Sequence, residues 1–158
     1  MKRYIVCLCV ISVLSWGSVA SSCSESQNDL SRPVNAASIA FIPQPQSVIY
    51  DGGGMVVPSS VSVSDELTGG PYALLESTVT SLGGELVRQS GGQAFIRLVA
   101  NASLQDEEYK IKTTLDGITL EYASSRGLLW GVQTLRQILL QSSAYEGGGR
   151  VLPLLTLS

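Results

Sequence analysis

Tyr109-Lys110-Ile111-Lys112-Thr113-Thr114-Leu115-Asp116-Gly117-Ile118-Thr119-Leu120-Glu121-Tyr122-Ala123 is the stretch whose pattern decides the fold. Tyr109, Ile111, Thr113 and Leu115 alternate with Lys110, Lys112 and Thr114. Beyond Asp116-Gly117, Ile118, Leu120 and Tyr122 alternate with Thr119, Glu121 and Ala123. A period of two puts successive side chains on opposite faces of a strand. Two such runs joined by Asp-Gly predict a β-hairpin with a type I′ turn, whose two central residues need φ > 0. One face of the hairpin is apolar and the other polar, so the antiparallel sheet around it is covered on one side only.

The period then changes. Leu128, Val132, Leu135 and Leu139 recur at i, i+4, i+7 and i+11, and Leu129, Trp130 and Ile138 widen the stripe. This is an amphipathic helix with its N-cap at Ser124 or Ser125. Gly127 and Gly131 lie one turn apart within it. Each glycine costs a helix about 1 kcal/mol against alanine, so two of them point to close packing against a sheet or a second domain.

Upstream, Ser47–Tyr50, Met55–Val57 and Val61–Ser64 read as three short strands. Tyr72–Leu82 has Leu74, Leu75, Val79 and Leu82 at helical spacing and closes on Gly83. Leu86–Arg88 and Ala94–Ala100 are strands again, and Val151–Leu157 is an apolar strand broken by Pro153. The glycine clusters at 52–54, 69–70, 83–84, 91–92 and 147–149 fall between apolar segments and read as turns. None has the spacing of a phosphate-binding loop. The order β-β-β-α-β-β-β-β-α-β predicts an α+β domain, a mostly antiparallel sheet with helices packed on one face.

The beginning of the chain is of another kind. Lys2 and Arg3 precede an uncharged run from Tyr4 to Val19, shorter than the ~20 residues of a membrane-spanning helix. That pattern predicts an export signal over residues 1–22. Ala20-Ser21-Ser22-Cys23 resembles a bacterial lipobox, with Ala20 where leucine is usual, and makes Cys23 the expected site of lipid attachment. Ser24–Ser38 is polar and aperiodic, so residues 23–38 read as a flexible tether reaching roughly 20 Å. The folded domain is expected over residues 39–158. The location expected is therefore the bacterial cell envelope, exported and lipid-anchored, at the periplasmic or outer surface.

Composition narrows the chemistry. Cys7 and Cys9 lie within the signal, which leaves Cys23 as the one cysteine of the mature chain, so no disulfide framework and no cysteine metal site are expected. The mature chain keeps eight basic residues against thirteen acidic ones, a balance that argues against nucleic acid as a partner. The chain contains no histidine. This removes the commonest general base and metal ligand and any Ser-His-Asp triad. No cofactor and no metal are expected.

Three segments together resemble the opening domain of family 20 glycoside hydrolases. They are Ile42-Pro43-Gln44-Pro45-Gln46-Ser47-Val48, the hairpin from Glu108 to Leu120, and the helix Arg126-Gly127-Leu128-Leu129-Trp130-Gly131-Val132-Gln133-Thr134-Leu135-Arg136-Gln137. The Gly-x-x-x-Gly-Val-Gln-Thr-Leu-x-Gln core of the helix is the most specific part, and Leu152-Pro153 resembles the lead-in to the family's barrel. The resemblance runs from Phe41 to Ser158. It implies an exported β-N-acetylhexosaminidase that removes terminal N-acetylhexosamine from glycans with retention. A glutamic acid protonates the leaving oxygen and the substrate's own acetamido group is the nucleophile, a substrate-assisted exception to the two-carboxylate scheme. That chemistry belongs to a (β/α)8 barrel, which the resemblance places beyond Ser158; the present domain supports the barrel without being catalytic.

No catalytic residue carries over to this chain. Asp65-Glu66, between a short strand and Thr68-Gly69-Gly70, reads as a solvated loop, and Asp106-Glu107-Glu108 as a polar strand entrance. For the helix the expectation is interdomain packing through Gly127, Leu129, Trp130, Gly131 and Gln133. Trp130 packs rather than stacks on a sugar, and Gln133 and Gln137 either bond to barrel backbone or face water. Asn101-Ala102-Ser103 fits the glycosylation sequon, which a bacterial lipoprotein leaves bare. Two other readings differ in class or substrate. One is a stand-alone surface lipoprotein that binds glycan or a partner protein. The other is the opening domain of an O-GlcNAc hydrolase or α-glucuronidase.

Overall fold

A computed structural model describes residues 39–90, 92–145 and 149–158. The expected export signal, Cys23 and the tether lie outside the described residues. So do Gly91, Gly147 and Gly148 of the glycine clusters.

The elements run β1 (Val48–Val57), β2 (Ser60–Ser64), α1 (Gly69–Ser81), β3 (Glu85–Gln89), β4 (Ile96–Ala100), β5 (Tyr109–Thr114), β6 (Gly117–Tyr122), α2 (Ser125–Leu140), β7 (Ser143–Ala144) and β8 (Arg150–Leu157). All strands join one sheet in the order β1-β8-β5-β6-β4-β2-β3, with β7 paired to β8. The fold is α+β, as the pattern predicts, with four of seven strand pairings antiparallel. The β2, β3, β4 and β6 half is parallel. For the β2–β3 pair the cause is local: α1 carries the chain from the end of β2 back to the start of β3, and such a crossover returns a strand in its original direction.

Three details differ from the sequence pattern. Val48–Val57 is one strand rather than two. Gly52 and Gly53, both at positive φ, sit inside it at an irregularity between Tyr50 and Gly54 instead of forming a turn between strands. Gly69, also at positive φ, opens α1 three residues before the expected start. The hairpin is in the expected place, with Tyr109 opposite Tyr122, Ile111 opposite Leu120 and Thr113 opposite Ile118, but its turn is not type I′. Thr114 pairs with Gly117, so Leu115 and Asp116 make the turn, and neither has positive φ. Gly117 takes the special conformation, at φ 132° with Phe95 O only 2.4 Å from where a Cβ would stand. Leu115 is consequently out in solvent rather than on the apolar face.

The core lies between the sheet and its helices. Ile96, Ile111, Ile118, Leu120 and Leu157 from the strands meet Leu75 and Val79 of α1 and Val132, Leu135, Ile138 and Leu139 of α2. Ser124 caps α2 by accepting from Arg126 N at 3.0 Å and Gly127 N at 3.4 Å. Behind that cap the helix sits directly on the hairpin. A Cβ at Gly127 would lie 2.6 Å from Glu108 O, and one at Gly131 would lie 2.4 Å from Leu120 Cδ1. The Tyr109 and Thr134 hydroxyls, 2.7 Å apart, join helix to strand between these contacts.

β8 passes through Pro153 without breaking. Proline has no N–H for a ladder, and such a residue usually marks the margin of a sheet. Here buried Thr113 of β5 supplies the missing bonds: its Oγ1 donates to Pro153 O at 2.7 Å and accepts from Leu155 N at 2.7 Å. Ser62 and Ser64 do similar work between β2 and β4, where backbone pairing is limited to Val63 with Ile96. Ser62 Oγ accepts from Phe95 N at 2.8 Å and Ser64 Oγ from Leu98 N at 3.1 Å.

The seating of α2 gives the first expected outcome. Gly127→Ala drives a methyl into a backbone carbonyl that cannot rotate away, and overpacking of that kind costs about 1–3 kcal/mol. Gly131→Ala meets only a side-chain methyl of Leu120 and should cost less. Denaturant unfolding followed by circular dichroism reads the two; equal midpoints for Gly127→Ala and the parent chain would show that the helix is not held at this distance.

Candidate docking face

The outer surface of α2 follows from its own period. The inward side takes Gly127, Gly131, Val132, Thr134, Leu135, Ile138 and Leu139. The opposite side therefore carries Leu129, Gln133, Arg136 and Leu140 at i, i+4, i+7 and i+11, with Trp130 beside them. Leu129 is 38% exposed, Trp130 47% and Leu140 42%, while Gln133 and Arg136 are half-buried. Among the described residues, this outer side of α2 thus presents a partly exposed indole and two partly exposed leucines, with Gln133 and Arg136 between the leucines.

Of the residues expected to pack between domains, Leu129 and Trp130 are exposed and Gln133 is half-buried, while Gly127 and Gly131 are buried with Glu108 and Leu120 of this same domain as close neighbours. The glycines serve the helix–sheet contact, the other reason their spacing suggested.

Gln137 is occupied within the domain. Ile42 N donates to its Oε1 at 2.8 Å and its Nε2 donates to Ile42 O at 2.9 Å. Gln141, one turn on, repeats the pattern with Ala40: Ala40 N donates to Oε1 at 2.8 Å and Nε2 donates to Ala40 O at 2.7 Å. The match is one of periods. Residues i and i+2 of an extended chain present N–H and C=O to the same side about 6.8 Å apart, and residues i and i+4 of a helix stand about 6 Å apart. Two carboxamides on α2 therefore act as two rungs of a ladder for the segment at 39–42, whose Ile39 and Phe41 pack against the core. Gln133 is the next position in the same i+4 series and, among the described residues, makes no side-chain hydrogen bond. The chain has by then left the helix at Pro43, which follows a cis peptide bond.

The acidic groups are placed structurally. Asp65 and Glu66 are exposed in the turn after β2. Asp106-Glu107-Glu108 forms the approach to β5. Ser124 Oγ donates to Asp106 O, and Glu108 Oε2 accepts from Gln105 N at 3.0 Å. Arg126 Nη1 stands 3.6 Å from both Asp106 Oδ2 and Glu107 Oε1. Asp106, Glu107, Glu108 and Arg126, with Gln44 and Ser158, line an open groove of about 590 Å³ at the N-terminal end of α2. Asn101 of the sequon is half-buried. It donates from Nδ2 to Glu121 Oε2 at 2.8 Å and accepts from Ser103 N at 3.0 Å.

Residues 38–156 match the family described as glycosyl hydrolase family 20, domain 2. No curated protein matches the chain. Among solved structures it is similar to a β-N-acetylhexosaminidase from Bacteroides fragilis, at 21% identity and TM-score 0.57 over 73% of this chain and 23% of that one. It is similar to the Streptomyces plicatus N-acetyl-β-hexosaminidase at 24% identity and TM-score 0.57, over 80% of this chain and 26% of that one. The exo-β-N-acetylglucosaminidase of Vibrio harveyi follows at 19% identity and TM-score 0.60, over 73% and 18%. At these identities the likeness is one of fold. The chain spans about a quarter or less of the length of each.

The clamp on residues 40–42 carries the second expected outcome. Gln137→Ala removes two bonds to Ile42 and Gln141→Ala two bonds to Ala40 and one to Gln137 O, at about 0.5–1.5 kcal/mol per bond. The double variant should lose amide-exchange protection at Ala40 and Ile42 while β5 and β6 keep theirs. Unchanged protection at those two amides would mean that the segment is held by Ile39 and Phe41 alone.

Proposed function

Because the chain belongs to glycosyl hydrolase family 20, whose domain 2 it carries, we propose that it is the supporting domain of an exported β-N-acetylhexosaminidase. The catalytic partner is a (β/α)8 barrel of the same polypeptide, which removes terminal N-acetylhexosamine from glycans. The observation that carries this reading is the exposed strip of Leu129, Trp130 and Leu140 on the helix that also bears the Gly-x-x-x-Gly-Val-Gln-Thr-Leu-x-Gln pattern. An exposed apolar patch rimmed by polar residues marks an interaction surface, and the barrel is the partner that family membership supplies.

The work of the domain in this reading is mechanical. α2 is fixed from beneath by Gly127, Gly131 and the Tyr109–Thr134 bond, so its outer residues are presented on a rigid support. Leu129 and Trp130 fill depressions on the barrel's outer wall, and Gln133 offers its free amide to backbone groups there. Catalytic groups held to fractions of an ångström gain from such rigid support. The export signal over residues 1–22 and acylation of Cys23 complete the proposal and put the enzyme at the bacterial cell envelope, where glycans are accessible.

The test uses the polypeptide with its barrel. Trp130→Ala and Leu129→Ser should leave the unfolding of this domain alone within about 0.5 kcal/mol, as surface substitutions do. In the whole enzyme they should separate one cooperative thermal transition into two and lower the temperature at which hydrolysis of a chromogenic N-acetylglucosaminide is lost. If enzyme and variants melt and inactivate together, the strip is not the barrel's seat. Saturable binding of chitooligosaccharide by the domain alone, abolished by Trp130→Ala, would favour a stand-alone glycan-binding module instead.

A further inference from the structure

The face of the sheet turned away from the helices is used by neither the core nor the α2 strip. Strand register sets its composition. Arg97 on β4 is beside Thr119 on β6, Thr119 beside Lys112 on β5, Lys112 beside Thr156 on β8, and Thr156 beside Ile49 on β1. In the next row Val99, Glu121 and Lys110 are neighbours. Cross-strand neighbours lie about 5 Å apart and same-strand neighbours about 6.8 Å. The guanidinium of Arg97 reaches Thr119 Oγ1 at 3.5 Å, which fixes both on this side. Lys110, Lys112, Ile49 and Val99 are all exposed.

Three cations are thus gathered within one small area of a chain whose balance is acidic. Among the described residues none of the three makes an ion pair within 4 Å, and the one carboxylate set directly opposite them is Glu121, across from Lys110. Among the described residues, the ion pairs are those of Arg126 with Asp106 and Glu107, on the helical side. Glu121, the one carboxylate in the rows, accepts from Asn101 Nδ2. Ile49 and Val99 flank the cations, so the surface offers positive charge and exposed aliphatic groups together. That combination suits an anionic lipid interface, which attracts basic residues over roughly a Debye length, about 8–10 Å.

The chain outside the described residues ends at the expected acyl cysteine. Fifteen residues separate Cys23 from Ile39, and their reach of roughly 20 Å exceeds the 10–12 Å diameter of a helix layer. The chain enters the domain beside β1, an edge strand, with Ile39 and Phe41 close to Val48.

We infer that the open sheet face, through Arg97, Lys110 and Lys112, lies against the anionic phospholipid surface in which the chain is anchored. This rests on the lipid-anchor reading of Cys23. It also orients the molecule: the helices, and with them the α2 strip, are turned away from the bilayer.

The test is vesicle co-sedimentation of the mature polypeptide carrying Cys23→Ser, so that acylation plays no part. Vesicles are phosphatidylcholine alone or an equal mixture with phosphatidylglycerol. The expected result is partition into the mixed vesicles only, weakening as salt is raised. Lys110→Gln with Lys112→Gln should reduce it about 25-fold, at about fivefold per cation. Arg126→Gln with Arg136→Gln, on the helical side, should leave it unchanged. The inference is overturned by equal partition into both vesicle types or by none. It is also overturned by an equal loss in both double variants, or by capture on an anionic polysaccharide without vesicle binding. The anchor reading fails separately, if the mass of the native protein shows Cys23 unmodified while the Cys23→Ser protein still partitions.

Discussion

Everything in this domain depends on how closely α2 lies on the β5–β6 hairpin. Two glycines one turn apart let the helix backbone reach the Glu108 carbonyl and the Leu120 side chain at distances no Cβ would allow. That closeness brings Thr134 to Tyr109 and drives Val132, Leu135, Ile138 and Leu139 into a core with no exposed surface. Glycine lowers the intrinsic stability of the helix, and the packing it permits offsets the loss. It also determines what remains outside: with one side of α2 sunk in the sheet, Leu129, Trp130 and Leu140 have no place within the domain.

Three seams of the fold are held by side chains doing what backbone usually does. Thr113 takes over the ladder where Pro153 has no N–H, Ser62 and Ser64 tie β4 to β2, and Gln137 and Gln141 pair with Ala40 and Ile42 as a neighbouring strand would. In each case two adjoining elements cannot keep regular register. A buried backbone group left without a partner costs roughly 1–3 kcal/mol, so a hydroxyl or carboxamide at the right period is favoured there. These residues give unity to a sheet whose two halves run by different rules.

The same distinction explains what was legible in the sequence. The hairpin, both helices and the apolar face follow from periodicity, which is local, and each is in the expected place. Less legible were features that depend on distant partners. Asp116-Gly117 reads as a type I′ turn until Phe95 is known to press on Gly117, which moves the turn to Leu115-Asp116. Gly52-Gly53-Gly54 reads as a break until β8 is seen to run alongside and keep the strand whole. The parallel pairing of β4 with β2 and β6 follows from where β4 docks, which no local pattern encodes. For Gln137 the sequence held both halves of the answer, an i+4 glutamine pair and an Ile-Pro segment, without the contact joining them.

The two faces of the domain differ in chemistry. Asp65, Glu66 and Asp116 sit in turns, and Asp106, Glu107 and Glu108 lie just before β5. There Asp106 and Glu107 face Arg126, and Glu108 supports both the approach to its strand and, through its carbonyl, the seat of α2. The close contact that seats α2 is made by the Glu108 carbonyl, while the Asp106 and Glu107 carboxylates are exposed and face Arg126, an arrangement that contributes little to stability. The helical side carries partly exposed Leu129, Trp130 and Leu140, and the sheet side sets Arg97, Lys110 and Lys112 around Glu121, so that one hairpin builds two faces of different chemistry.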